Sequence, residues 1–203
     1  MGFFGPSKKE TWTRFAAEIG AHYQDGGTWA KDTFRYHYKN WDFDFHTFTQ
    51  RHGQTTCIYT RLRVPFLVKG NLRLSIYKEG FFSSIGKLFN MQDIQINDHN
   101  FDHSFIIKGN DEAKIKQLLS NLSLKRAFLA LEGANIRIDN GRGFFKDRYP
   151  EDVNALVFEC NGIIKKLDKL HALFNLFQEV LDSLVRIQSI ETTNPTYSFH
   201  KES

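Results

Sequence analysis

The chain reads Phe34-Arg-Tyr-His-Tyr-Lys-Asn-Trp-Asp-Phe-Asp-Phe45 over its most regular segment, and this pattern predicts a β-hairpin. With Lys39-Asn40 as a two-residue turn, Asn40 suits a turn position of positive φ. Directly opposed residues share a face of an antiparallel pair. One face would then hold only aromatic pairs and the other only charge-complementary pairs: Phe34 with Phe45, Tyr36 with Phe43, Tyr38 with Trp41, His37 with Asp42 and Arg35 with Asp44.

Helical spacing marks both ends of the chain. Ser7 and Glu10 have the spacing of a capping box, and apolar residues from Trp12 to Tyr23 recur at helical intervals. This predicts a helix that ends before Asp25. A longer apolar stripe over about 168–188 predicts a final, core-facing helix. An alternative use of that stripe is a homodimer seam.

Period-two alternation between these helices predicts half-buried antiparallel strands, and shorter apolar patterns predict helices around 81–89, 111–122 and 128–131. The fold class is therefore α+β: a curved antiparallel sheet packed by an N-terminal helix, short intervening helices and a long C-terminal helix. We expect a single domain over 1–190, with an alternative subdivision near 92–110. A flexible tail over 191–203 is predicted to follow.

The composition is that of a globular protein with an aromatic core. Among 203 residues 20 are Phe, and large aromatic side chains usually pack inside; an aromatic-lined ligand cavity is the alternative. Residues 1–92 carry 13 Lys and Arg against 7 Asp and Glu. A moderately basic half favours an anionic partner, but the dense basic clusters of nucleic-acid-binding proteins are missing, so nucleic acid is not expected.

The termini, cysteines and motifs indicate a cytoplasmic protein without a cofactor. Cys57 and Cys160 form no CxxC pair, no secretory signal is visible, and no apolar run approaches the ~20 residues of a membrane span. There is no phosphate-binding Walker loop and no nucleophile elbow, and Gly141-Arg-Gly143 lacks the third glycine of a dinucleotide fingerprint.

A basic strand face is the first candidate site. If strands 57–66 and 72–77 pair, Arg61, Arg63 and Arg73 gather beside Tyr59 and Tyr77, a set that suits phosphate or carboxylate groups. The alternative is a solvated face with weak ion pairs.

A further candidate combines His37, Asp42 and His46 with Arg35 and Asp44, because a His beside an Asp on a strand face could act as a general base. Cross-strand charge pairing already accounts for four of these five residues, and the structural interpretation is preferred.

The second candidate site is a polar cluster formed by Asp98, His99, Asp102 and His103. On a helix the two imidazoles would be one turn apart and could share a zinc ion. The flanking apolar residues have strand spacing, however, and in an extended segment the histidines are about 13 Å apart. A polar turn is therefore predicted, and no metal site.

The segment from Gly80 to Glu112 carries a resemblance. In Gln92-Asp-Ile-x-Ile96, Phe101-Asp-x-x-Phe105 and Lys108-Gly-Asn-Asp-Glu112 it resembles a group of small bacterial proteins without an established activity. The likeness extends from the first helix to the last. It implies a soluble bacterial domain and transfers no functional residue.

The leading functional hypothesis is a non-catalytic binding or protein-interaction module. Its contact site would be the basic strand face or an aromatic-lined cavity, and its partner a protein or a small anionic ligand. The alternative is a metal-dependent or acid–base enzyme that uses the Asp98–His103 cluster.

Overall fold

A computed structural model describes residues 6–27, 32–78, 91–131, 133–141 and 149–199. Within them the chain forms five helices and nine strands. The helices are α1 Lys8–Ile19, α2 His99–Ser104, α3 Glu112–Leu119, α4 Leu122–Ala130 and α5 Leu167–Arg186. The strands are β1 His22–Gln24, β2 Thr33–Tyr38, β3 Trp41–His52, β4 Thr55–Leu67, β5 Leu74–Tyr77, β6 Gln92–Ile94, β7 Ile106–Gly109, β8 Asn135–Asp139 and β9 Val153–Asn161. The helix predicted around 81–89 lies outside the described residues.

Helix α1 begins at the predicted capping box and ends earlier than predicted. The Ser7 hydroxyl accepts from the Glu10 amide at 3.2 Å, and the Glu10 carboxylate accepts from the Ser7 amide at 2.8 Å. Gly20 ends the helix in the left-handed region, at φ 69°, which glycine adopts readily. Tyr23 therefore lies in β1, and its assignment to the helix was wrong.

The hairpin formed by β2 and β3 has the predicted register. All five predicted pairs are present, from Tyr38 opposite Trp41 to Phe34 opposite Phe45. The turn differs in one detail, because Lys39 takes the positive φ, at 53°, and Asn40 does not. The Asn40 amide instead donates to the Thr192 carbonyl at 2.6 Å and ties the turn to the C-terminal segment.

The described strands form one antiparallel sheet in the order β1-β2-β3-β4-β9-β8-β5-β7-β6, which confirms the α+β class. The predicted pairing of 57–66 with 72–77 was wrong. Strand β4 pairs with β3 and β9, and β5 pairs with β7 and β8. Alternation specifies on which face of the sheet each residue lies, but it does not specify which strand is the neighbour. It therefore could not predict that β9 and β8 lie between β4 and β5.

The helices cover one face of the sheet and enclose an aromatic core. The Phe174 ring on α5 lies 4.8 to 5.6 Å from the rings of Phe15, Phe34, Phe43 and Phe45. The apolar stripe of α5 is buried by this packing. Because one chain already covers the stripe, its alternative use as a homodimer seam would require exposing the core.

Two further predictions concern domain limits and the tail. Strands β6 and β7, near the alternative subdivision, belong to the same sheet as the rest, while the limit at 190 stays a prediction. In the predicted tail, the Glu191 amide donates to the Leu67 carbonyl at 2.9 Å, and Phe199 is buried. Flexibility of 191–203 stays a prediction.

No helix among the described residues is long and apolar enough to cross a membrane.

Candidate functional site

The face of the sheet opposite the helices carries rows of charged side chains, and we call it the charged face. Strand alternation and register place the following residues on it: His22, Arg35, His37, Asp42, Asp44, His46, Tyr59, Arg61, Arg63, Pro65, Arg137, Asp139, Ala155, Val157 and Glu159. Each strand contributes every second residue, so the aromatic core and the charged face are two sides of the same strands.

The centre of the charged face is a network of ion pairs shielded from solvent. Arg63 donates from Nε and Nη2 to Asp44 Oδ2 at 3.0 and 2.8 Å, and His46 contacts the other Asp44 oxygen at 3.2 Å. Glu159 binds Arg61 at 2.6 Å and Arg137 at 3.1 Å. Each carboxylate is thus held by two basic side chains.

These contacts shift the acidity of both carboxyl groups. Burial raises the pKa of Asp44, but the hydrogen bond and charge of His46 and the charge of Arg63 outweigh it and leave the pKa well below its ordinary value. Burial opposes ionisation of Glu159 in the same way, and the charges of Arg137 and Arg61 lower its pKa. Both groups are therefore anionic at neutral pH.

The structure separates the residues predicted for the basic strand face. Tyr59, Arg61 and Arg63 lie together on β4, but both arginines are engaged in the ion pairs above. Arg73 precedes β5, and Tyr77 in β5 is buried. With β9 and β8 between β4 and β5, the two groups are about 14 Å apart at the usual strand spacing. The predicted five-residue site does not form.

A cleft opens instead at the end of the charged face near β1, β2 and β3, with a volume of about 510 Å³. The end of α1, Pro65 of β4 and the C-terminal segment complete its walls. It is lined by Gly20, His22, Arg35, Tyr36, His37, Asp42, Phe43, Asp44, Pro65, Tyr197, Ser198 and Phe199. This volume lies in the range of small-molecule binding sites.

The C-terminal segment is fixed against the charged face by aromatic contacts. The rings of Tyr149, Tyr197 and Phe199 contact one another at 5.3 to 5.8 Å and pack on Ala155 and Val157. The Arg63 guanidinium carbon lies 3.7 Å from the centre of the Phe199 ring. Phe199 therefore contacts the ion-pair network and also forms part of the cleft wall.

Arg35 contributes an exposed guanidinium to the cleft. It lies opposite Asp44 in the register, but Asp44 binds Arg63 and His46 instead. Among the residues that the structure describes, no ion pair or hydrogen bond reaches the exposed Arg35 guanidinium. The other acidic group of the cleft, Asp42, binds His37 at 2.8 Å. The positive charge of Arg35 is thus uncompensated.

The Asp98–His103 cluster forms a helix, α2, and the predicted turn was wrong. Asp98 caps α2 by accepting from the Phe101 amide at 3.2 Å, a stabilising contact that strand-like flanking residues did not reveal. Asp98 also pairs with Lys125, and Asp102 accepts from the Ile96 and Asp98 amides. The carboxylates therefore have structural contacts.

The imidazoles of His99 and His103 lie 6.3 Å apart between ring centres and are nearly parallel. Within the described ranges, no three His, Cys, Asp or Glu side chains are grouped as metal ligands would be.

Two parts of the cleft escaped sequence analysis. His22 was not recognised because the helical spacing of apolar residues extends past it to Tyr23. Gly20 was the available signal that α1 ends earlier. Tyr197 and Phe199 lay in a segment judged flexible from its polar composition. Their alternation with Ser198 was the available signal for an extended, packed segment.

Comparisons of the chain with known protein families, curated proteins and solved structures found no match. The resemblance to a group of bacterial proteins stays a prediction, and functional argument rests on the geometry of the cleft.

Proposed function

We propose that this protein binds a small organic anion in the cleft beside Arg35. The ligand would combine a flat apolar body with a carboxylate or phosphate group. The observation that carries the proposal is an exposed guanidinium that has no ion-pair partner among the described residues, in a cleft where Asp44 is already paired with Arg63 and His46. This retains the predicted small anionic ligand and moves its site from Arg61 and Arg63 to Arg35.

Arg35 supplies the charge that such a ligand requires. A guanidinium presents several donors in one plane and binds carboxylate or phosphate oxygens through two parallel hydrogen bonds. Because the Asp44 carboxylate already binds His46 and Arg63, it repels a second anion less than a free carboxylate would.

The walls of the cleft suit the apolar part of the ligand. Pro65 and the segment from Tyr197 to Phe199 contribute apolar and aromatic surface, and burying apolar area against it stabilises a complex. We place this activity in the cytoplasm, which the two free cysteines, Cys57 and Cys160, support.

Calorimetric titration with phenyl phosphate, benzoate and inorganic phosphate tests the proposal. We expect phenyl phosphate or benzoate to bind more tightly than phosphate, because only they occupy the apolar walls. Arg35→Gln should weaken binding roughly 10- to 100-fold, the usual value of a charged hydrogen bond. Arg51→Gln, which changes another exposed strand arginine, is the matched control. No binding of any probe, or equal loss in both variants, would contradict the proposal.

A further inference from the structure

The cleft also contains the groups of a metal-independent acid–base site. His37 lies two residues from Arg35 on β2 and therefore on the same face. His22 on β1 is directly opposite Arg35. All three line the cleft, so both imidazoles are neighbours of the guanidinium, His37 along β2 and His22 across from it on β1. His22 and His37 are diagonal neighbours, for which the spacing is roughly 7–8 Å.

Asp42 holds one of these imidazoles in a defined orientation. Its Oδ1 lies 2.8 Å from Nδ1 of His37, and when Nδ1–H donates to the carboxylate, Nε2 is left as the acceptor. No hydrogen-bond partner for Nε2 of His37, or for the ring of His22, occurs among the residues that the structure describes. A hydrogen-bonded carboxylate that orients an imidazole is the arrangement of a general base.

We infer that the cleft hydrolyses a cyclic phosphodiester, and that its substrate class is nucleoside 2′,3′-cyclic phosphates. This inference rests on the proposed function, since the nucleotide is an anion with a flat aromatic body. Arg35 binds the phosphate, and the aromatic walls accommodate the base. The cleft volume of about 510 Å³ suits a ligand of this size.

The reaction requires only water and the two histidines. Nε2 of neutral His37 takes a proton from water as the water oxygen forms a bond to phosphorus. The bond from phosphorus to the 2′-oxygen breaks, and protonated His22 gives its proton to that oxygen. One water is added and a nucleoside 3′-monophosphate leaves; the two imidazoles then exchange their protons with solvent. Arg35 stabilises the negative charge on the phosphoryl oxygens in the transition state.

The placement of the groups fits this sequence of steps. In an in-line displacement the entering and leaving oxygens are on opposite sides of phosphorus, so the base and the acid must flank the group that binds the phosphate. His37 lies along β2 from Arg35 and His22 lies across the strand pair from it, so the phosphate would be held between the two imidazoles, on the diagonal that joins them. Asp42 is a positioning residue, and Asp42→Asn should lower kcat and leave KM little changed.

The test follows adenosine 2′,3′-cyclic phosphate by phosphorus NMR, with binding of adenosine 3′-monophosphate measured separately by calorimetry. We expect the wild-type protein to convert the cyclic phosphate to the monoester. His37→Gln and His22→Gln should each lower kcat by about 100-fold or more while retaining binding of the monophosphate. His99→Gln, at an exposed histidine outside the cleft, should retain activity and controls for contaminating nucleases.

Two outcomes would overturn the inference. Binding of the monophosphate without turnover by the wild-type protein removes the activity and leaves the proposed binding function intact. Turnover that survives in both His37→Gln and His22→Gln assigns the activity to something other than this site. If the wild-type protein binds neither phenyl phosphate nor benzoate, both the proposed binding function and this inference are wrong.

Discussion

The carboxylate of Asp44 lies where the cleft meets the ion-pair network, and it determines which arginine remains available to a ligand. Two arginines oppose it, Arg35 on β2 and Arg63 on β4. Arg63 binds it and stacks on Phe199, while Arg35 remains exposed. A buried carboxylate needs paired and hydrogen-bonded partners, and the more buried arginine satisfies that need.

Replacing Asp44 should destabilise the protein in a pH-dependent way. Asp44→Asn removes the carboxylate that the buried Arg63 guanidinium binds, and breaking a buried pair in this way typically costs about 3–5 kcal/mol at neutral pH. The folded-state pKa of Asp44 is lowered, so its stabilisation is complete above the unfolded pKa, about 4. It is lost as pH falls below that value toward the folded pKa.

Chemical denaturation of the wild-type protein and of Asp44→Asn between pH 7 and pH 2 measures the pH-dependent stabilisation by Asp44. The difference in free energy of unfolding between the wild-type protein and Asp44→Asn should decrease below about pH 4. Asp42→Asn, on the same strand and face but in an exposed pair, should change stability far less. A gap independent of pH would show that Asp44 stabilises the fold by other means.

At the scale of elements, the hairpin and α5 pack against each other through a cluster of aromatic rings. Phe174 of α5 contacts rings from α1, β2 and β3. The hairpin thus supplies the aromatic core with one face and the cleft with the other. Because Arg35 and His37 are two residues apart on β2, the strand places both on the charged face.

Truncating the central ring of this packing should be costly. Phe174→Ala removes a fully packed ring and should lower the free energy of unfolding by about 3–5 kcal/mol. Leu129→Ala, at a side chain of α4 that is 47% exposed, should change it by no more than about 0.5 kcal/mol. Thermal and urea unfolding compare the two variants, and similar losses in both would contradict the assignment of Phe174 to the centre of the core.

Local sequence was sufficient to predict the hairpin, because its register depends on twelve neighbouring residues and one turn. The availability of Arg35 was not predictable in this way. It depends on Arg63, 19 residues from Asp44 in sequence, and on the pairing of β3 with β4. Likewise the cleft wall from Tyr197 to Phe199 packs against strands distant in sequence, and polar composition alone suggested a free tail.

At the scale of the whole molecule, the C-terminal segment joins the cleft to the ion-pair network. It leaves the helical layer after α5, passes the hairpin turn at Asn40 and reaches the charged face at Phe199. The cleft is therefore built by segments from both ends of the chain, from Gly20 to Phe199.

Removing the Phe199 ring should affect ligand binding without unfolding the protein. Phe199→Ala takes away part of the cleft wall and the ring stacked on Arg63. We expect weaker phenyl phosphate binding and faster removal of C-terminal residues by carboxypeptidase, with the core transition in thermal unfolding retained. Unchanged affinity would show that the segment is not part of the ligand site.

A crystal structure of the protein with phenyl phosphate, or intermolecular NMR contacts to the same probe, tests the central claim most directly. We predict that the phosphate oxygens lie within hydrogen-bond distance of the Arg35 guanidinium and that the phenyl ring lies against the segment from Tyr197 to Phe199. A probe bound elsewhere, or bound in the cleft without contact to Arg35, would contradict the account.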